Sequence, residues 1–94
     1  MKVNLKFLAS IREIVGAHEI QFEINPGSTV ESLLEILESR FGAEFKEAVG
    51  KPFEDKNPKI MFIVNGRDID FLKGPRTELK EGDTVVLIPP VAGG

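Results

Sequence analysis

The sequence predicts an α+β domain, one amphipathic helix laid on one face of a β-sheet. Three observations predict it. Apolar residues alternate with polar ones over Val3–Phe7 and again over Glu19–Ile24, the two-residue period of half-buried strands. Val30, Leu33, Leu34, Leu37 and Phe41 recur at helical spacing and form one apolar stripe. Two unbroken apolar runs, Ile60–Val64 and Thr84–Ile88, are bounded by turn residues. One helix can cover only one face of one sheet, so the layers are two. With 94 residues the chain makes a single domain with one modest core.

In chain order, Val3, Leu5 and Phe7 of the first strand point inward, and Leu8 breaks the alternation by placing an apolar side chain on the outer face. Ser10 and Glu13 have the spacing of a capping box, which opens a short helix, Ile11–Val15, closed by Gly16. Glu19–Ile24 is the second strand, pairing antiparallel with the first. Asn25-Pro26-Gly27 is a turn. Ser28 with Glu31, or Thr29 in their place, caps the main helix, Val30–Phe41, and Gly42 ends it. Phe45, Ala48 and Val49 suit a second short helix, and Gly50–Pro58 reads as a loop with a solvated charged surface.

Ile60–Val64 is the third strand. Asn65-Gly66 is a strong hairpin signal because both residues tolerate positive φ, and Arg67–Asp70 is the short return strand. Leu72 and Leu79 are expected to plug the core from the following connection. Glu81-Gly82-Asp83 turns the chain into the last strand, Thr84–Ile88, which is apolar on both faces and therefore central. Since so little helix is available, Leu8, Val86, Ile88 and half of Ile60–Val64 should form an apolar patch on the uncovered face. Such patches tend to be partner surfaces.

Composition removes several function classes. The net charge of −3 leaves no basic footprint for nucleic acid. No apolar run approaches the roughly 20 residues of a membrane span. The alternating N-terminus is no signal-peptide core, so a cytoplasmic location is expected. The chain has no cysteine and one histidine, His18, which excludes a thiolate nucleophile and leaves no thiolate or histidine-cluster metal site. Asp68 and Asp70 flank a strand as surface acids, and no acid–base constellation stands out.

The ending, Pro89-Pro90-Val91-Ala92-Gly93-Gly94, divides the chain into a folded body, 1–88, and a tail, 89–94. Proline cannot donate to a ladder, so the last strand stops there, and its fixed φ favours an extended path. At full extension six residues reach roughly 20 Å. The tail lacks charge and bulk, and Gly93-Gly94 can enter a slot that excludes any Cβ. The simplest reading is that the domain presents the Gly94 carboxylate.

Five stretches carry a family resemblance: Phe7-Leu8-Ala9-Ser10-Ile11-Arg12-Glu13, Thr29-Val30-Glu31-Ser32-Leu33, Val64-Asn65-Gly66, Leu79-Lys80-Glu81-Gly82-Asp83-Thr84-Val85, and above all Pro89–Gly94. Together they resemble the small subunit of molybdopterin synthase, the MoaD family of sulfur carriers. Only Ala43–Lys59 is an insertion relative to its shortest members. The resemblance implies a ubiquitin-like β-grasp fold with a mixed sheet, the first and last strands adjacent and parallel. It also implies that an adenylating enzyme related to ubiquitin-activating enzymes, using ATP and magnesium, joins AMP to the Gly94 carboxylate. A sulfur donor such as a cysteine desulfurase or a rhodanese then converts it to a thiocarboxylate. Gly93 and Gly94 are thus the reacting end. Leu8, Val86, Ile88, Pro89, Pro90, Val91 and Ala92 are the expected interface to the large synthase subunit, which would pass the sulfur to a pyranopterin precursor of the molybdenum or tungsten cofactor. On this reading the carrier holds no tightly bound cofactor and no metal of its own. The alternatives are a ubiquitin-like modifier conjugated through Gly94 to lysines, a carrier for thiazole synthesis, and a binding module with an inert tail.

Overall fold

The computed structural model describes residues 1–90. The elements are β1 (Lys2–Phe7), α1 (Ala9–Val15), β2 (Glu19–Glu23), α2 (Val30–Phe41), α3 (Ala43–Val49), β3 (Met61–Val64), β4 (Arg67–Asp68) and β5 (Thr84–Ile88), with 3-10 turns at Ile69–Phe71 and Gly74–Arg76. The five strands form one sheet in the order β2-β1-β5-β3-β4. β5 is central, as its two-sided apolarity requires. It runs parallel to β1 and antiparallel to β3, which is the mixed sheet of the β-grasp expectation.

The register sorts side chains between the two faces. Val3, Leu5 and Phe7 of β1, Val85 and Leu87 of β5, and Phe62 and Val64 of β3 are all buried on the helix side. α2 lays Val30, Leu33, Leu34 and Leu37 on them. Phe41 stands edge-on to Phe7, with ring centroids 6.1 Å apart, and tilts against Phe45 of α3. Phe45 and Val49 are fully buried, so the inserted segment is part of the core. On the outer edge, Ile20 and Phe22 of β2 are only half-buried, and the Arg40 guanidinium lies over the Phe22 ring at 5.6 Å.

Four local expectations are corrected. α1 does not begin at a Ser10–Glu13 capping box. Leu8 precedes the helix without any side-chain cap, its amide donating to the Leu87 carbonyl at 3.2 Å, so the helix starts at Ala9 and Ser10 falls inside the first turn. α2 is capped by Thr29 rather than Ser28. The Thr29 hydroxyl accepts from the Ser32 amide and Ser32 Oγ accepts from the Thr29 amide, so Ser32 takes the place that Glu31 was expected to hold. Ser28 instead donates to the Asn25 carbonyl. β4 has two residues, not four, because Asp68 Oδ1 accepts the Asp70 amide and winds Ile69–Phe71 into a 3-10 turn. That turn sends Ile69 into the core and leaves Leu72 at the surface, where Leu72 was expected to be the plug; Leu79 is buried as anticipated.

The Thr29 cap fixes where α2 starts, so its loss should be measurable. Thr29→Ala is expected to cost about 1 kcal/mol. A thermal melt should show the midpoint falling by roughly 4–8 °C.

Candidate functional site

The candidate site is the uncovered face of the sheet at the end of β5, where Pro89 and Pro90 leave the body. One cross-sheet row is explicit in the pairing: Glu19 opposite Lys6, Lys6 beside Val86, Val86 opposite Ile63, and Ile63 opposite Asp68. The next row pairs Met61 with Ile88, and continuing the β1–β5 register by one residue brings Leu8 beside Ile88. Leu8, Val86, Ile88, Ile63 and Met61 are therefore neighbours on one face, each half-buried by the others. The strip is apolar at its centre and charged at its edges, the arrangement of a contact surface with a polar rim. Met61 and Ile63 are the half of Ile60–Val64 expected to join Leu8, Val86 and Ile88 in this patch.

Position along β5 is fixed at its start. The Asn65 side chain accepts the Thr84 amide and donates to Asp83 Oδ1, both at 2.9 Å. Asp83 Oδ2 accepts the Lys80 amide at 2.8 Å. Asn65 also holds φ at +50° in the hairpin, next to Gly66 at +85°. One side chain therefore makes the turn and pins the adjacent central strand. The Asn-Gly dipeptide signalled the turn; nothing in it signalled the clamp. Asn65→Ala removes both hydrogen bonds and strains the left-handed backbone, so a loss of about 2 kcal/mol is expected in denaturant unfolding.

At the other end of β5, Pro89 is half-buried and Pro90 exposed. Val91, Ala92, Gly93 and Gly94, and the extended path expected for them, lie outside the described residues. His18 is exposed, and its carbonyl accepts the Phe7 amide. Among the described residues no group of three His, Cys, Asp or Glu side chains could hold a metal ion. No described helix is long and apolar enough to cross a membrane.

With this geometry in place, comparison with known proteins identifies the family. The ThiS family model matches residues 5–94, a span that takes in β5 and the Gly-Gly end. The chain belongs to the ThiS family. This is the ThiS/MoaD family of small β-grasp sulfur carriers that the five stretches resemble. Among its relatives, small archaeal modifier protein 3 of Haloferax volcanii is 38% identical over the whole of both chains. The molybdopterin synthase sulfur carrier subunit of Drosophila yakuba is 31% identical, over 100% of this chain and 92% of its own. In structure, the chain is similar to a Pyrococcus furiosus protein assigned as molybdopterin converting factor subunit 1, with a TM-score of 0.81, 34% identity, and coverage of 97% and 99%. It is also similar, with a TM-score of 0.67, 26% identity and full coverage of both chains, to a chain in the complex of subunits 1 and 2 of the Helicobacter pylori molybdopterin-converting factor.

Proposed function

We propose that this ThiS-family protein carries sulfur on Gly94 for the assembly of molybdopterin, as the small subunit of a two-subunit synthase. The observation that carries the reading is the placement of β5. It is hydrogen-bonded on both sides, ends at Ile88, and passes directly into Pro89-Pro90 beside the only cluster of apolar side chains on the uncovered face among the described residues. A rigid strand thus sets the origin and direction of a tail that can reach into a partner.

The chemistry needs little from the carrier itself. A terminal carboxylate is anionic at neutral pH and is a poor electrophile. In the activation step its oxygen attacks the α-phosphate of ATP on the adenylating enzyme, and pyrophosphate leaves. The terminal sulfur of a donor persulfide then attacks the acyl carbon and AMP leaves, giving an acyl disulfide; a thiol attacks the donor's sulfur, forms a disulfide with it and releases Gly94 as the thiocarboxylate. The tail next enters the large subunit, which transfers the sulfur to the pterin precursor. Ordering the tail costs roughly 1–2 kcal/mol per residue. Pro89 and Pro90 lower that cost by narrowing the free ensemble, and main-chain hydrogen bonds to the partner can offset more of it. The Leu8–Val86–Ile88 strip, with Met61 and Ile63, is the surface on which the large subunit would sit. The H. pylori two-subunit complex and the D. yakuba synthase subunit support a partner of this kind.

A second reading is favoured by the 38% identity to an archaeal modifier. The same adenylated Gly94 can acylate a lysine ε-amine, AMP leaving and an isopeptide bond forming. Intact mass of the tagged protein, purified under denaturing conditions from its own cells, separates the two. One oxygen replaced by sulfur at Gly94 supports the carrier. Larger species with Gly94 linked to lysines of other proteins move the assignment to the modifier. Unmodified protein alone, even after incubation with the adenylating enzyme, ATP and a sulfur donor, overturns both.

A further inference from the structure

The residue that pins the start of β5 is also the most chemically labile in the chain. Of the four asparagines, only Asn65 is followed by glycine. Asn25 and Asn57 precede prolines, which have no amide N–H to react, and Asn4 precedes Leu5 inside β1. Gly66 has no side chain to shield its amide nitrogen, and open space surrounds the position where a Cβ would stand. Asn65 and Gly66 are both exposed, in the two-residue loop between Val64 and Arg67, so water reaches them. Asparagine is thermolabile, most of all where an exposed glycine follows it.

The reaction needs only water. The Gly66 amide nitrogen attacks Asn65 Cγ, a C–N bond closes a succinimide ring, and the side-chain nitrogen leaves as ammonia with the Gly66 proton. Water then opens the ring at either carbonyl. The product is aspartate, or isoaspartate with the main chain rerouted through the side chain, and the net exchange is NH2 for OH.

In the folded chain the side-chain amide is committed on both sides. Its oxygen accepts the Thr84 amide and its nitrogen donates to Asp83 Oδ1. A side chain held to Thr84 and Asp83 is not free to turn Cγ onto the Gly66 nitrogen, so the two bonds must break first. The product cannot remake the clamp. The aspartate has no donor at neutral pH and sets a second carboxylate against Asp83. Arg67 and Lys80 line the same hollow with Glu78 and Asp83, two cations against two carboxylates, so the new charge meets no surplus of cations. The isoaspartate adds main-chain length to a loop whose two residues set Val64 opposite Arg67.

We infer that Asn65 is a conditional deamidation site, protected while the hairpin is docked on the start of β5, reactive when it opens, and unable to dock again once converted. Each opening of this end of the sheet then carries a risk of becoming permanent.

Parallel incubations of the full chain at mildly alkaline pH test this, one in buffer and one in enough urea to unfold it. Peptide mapping by mass spectrometry reads the exchange of NH2 for OH at Asn65. The folded chain should convert about 5–30-fold more slowly or less, the weight of two hydrogen bonds in an opening equilibrium. Equal rates overturn the proposal, and so does an Asn65 that outlasts unfolding as well as Asn4 does. Asn65→Asp reproduces the direct product, and its melting midpoint should fall by at least roughly 4–8 °C. Adding Asp83→Asn exchanges the roles of the two side chains. The amide at 83 can donate to the carboxylate at 65 while its oxygen still accepts the Lys80 amide, so most of the loss should be recovered. An Asn65→Asp variant that melts with the wild type overturns the proposal, as does a double variant no more stable than the single one. None of these readouts depends on sulfur chemistry.

Discussion

Deletion of Gly94 is expected to abolish formation of the thiocarboxylate altogether while leaving the fold and its melting temperature unchanged. The shortened chain ends in Gly93, which also has a free carboxylate, so charge and chemical type are preserved. What changes is reach. Losing one residue withdraws the reacting carbon by about 3.3–3.6 Å. Displacements near 1 Å can already cost 10²-fold when reacting groups must be held in near-attack geometry. Extending the chain by one alanine should fail for the complementary reason, since on the proposed function a Cβ would have to enter a slot that admits Gly-Gly. Mass spectrometry after incubation with the adenylating enzyme, ATP and sulfur donor gives the result directly. A shortened chain sulfurated as well as the intact one would show that the length of the tail does not set the reaction.

The second large effect is a contrast between neighbours. Leu87 is fully buried at the centre of the sheet, while Ile88, one residue on, lies half-exposed on the uncovered face. Leu87→Ala should destabilise the domain by about 2–5 kcal/mol, a large share of the roughly 5–15 kcal/mol that holds a domain together. Ile88→Asp should leave the domain folded and weaken binding of the large subunit at least tenfold, because it sets a charge in the middle of an apolar contact. Calorimetry on both variants, with a pull-down against the purified large subunit, separates stability from binding. Unfolding by Ile88→Asp would show that the end of β5 is core rather than surface.

The features that could be read from the sequence are those in which one face of an element differs from the other. Alternation in β1 identified Val3, Leu5 and Phe7 as buried, and the two-sided apolarity of Val85–Ile88 identified a central strand. The α2 stripe fixed both ends of that helix at Val30 and Phe41. What stayed hidden depended on single hydrogen bonds. The sequence offered Ser28 with Glu31 and, as a rival, Thr29; only backbone geometry selects Thr29, which lets Ser32 close the box from the other side. Leu72 has the composition of a core residue, but the Asp68 side chain winds the chain into a tight turn two residues earlier and Ile69 takes the interior position. In the site, Leu8, Val86 and Ile88 were readable because they break or exceed the alternation. The role of Asn65 was not, since a turn residue and a strand clamp look identical in one letter.

The parallel pairing of β1 with β5 has a consequence for how the molecule comes into being. These two strands lie at opposite ends of the sequence and form the middle of the sheet, so Leu5 and Val85 are partners across eighty positions of chain. β1 and β3 cannot be joined until β5 lies between them. Contacts so distant along the chain are slow to form, because the entropy of closing the loop must be met before the contacts stabilise anything. During synthesis, β1, α2 and β3 emerge before the strand that unites them. The domain therefore completes only after residue 88 is made, six residues ahead of Gly94. A chain broken off before β5 lacks the strand that joins β1 to β3 and also lacks Gly93-Gly94, so the order of synthesis couples possession of the Gly-Gly end, which the proposed function requires, to possession of a completed sheet.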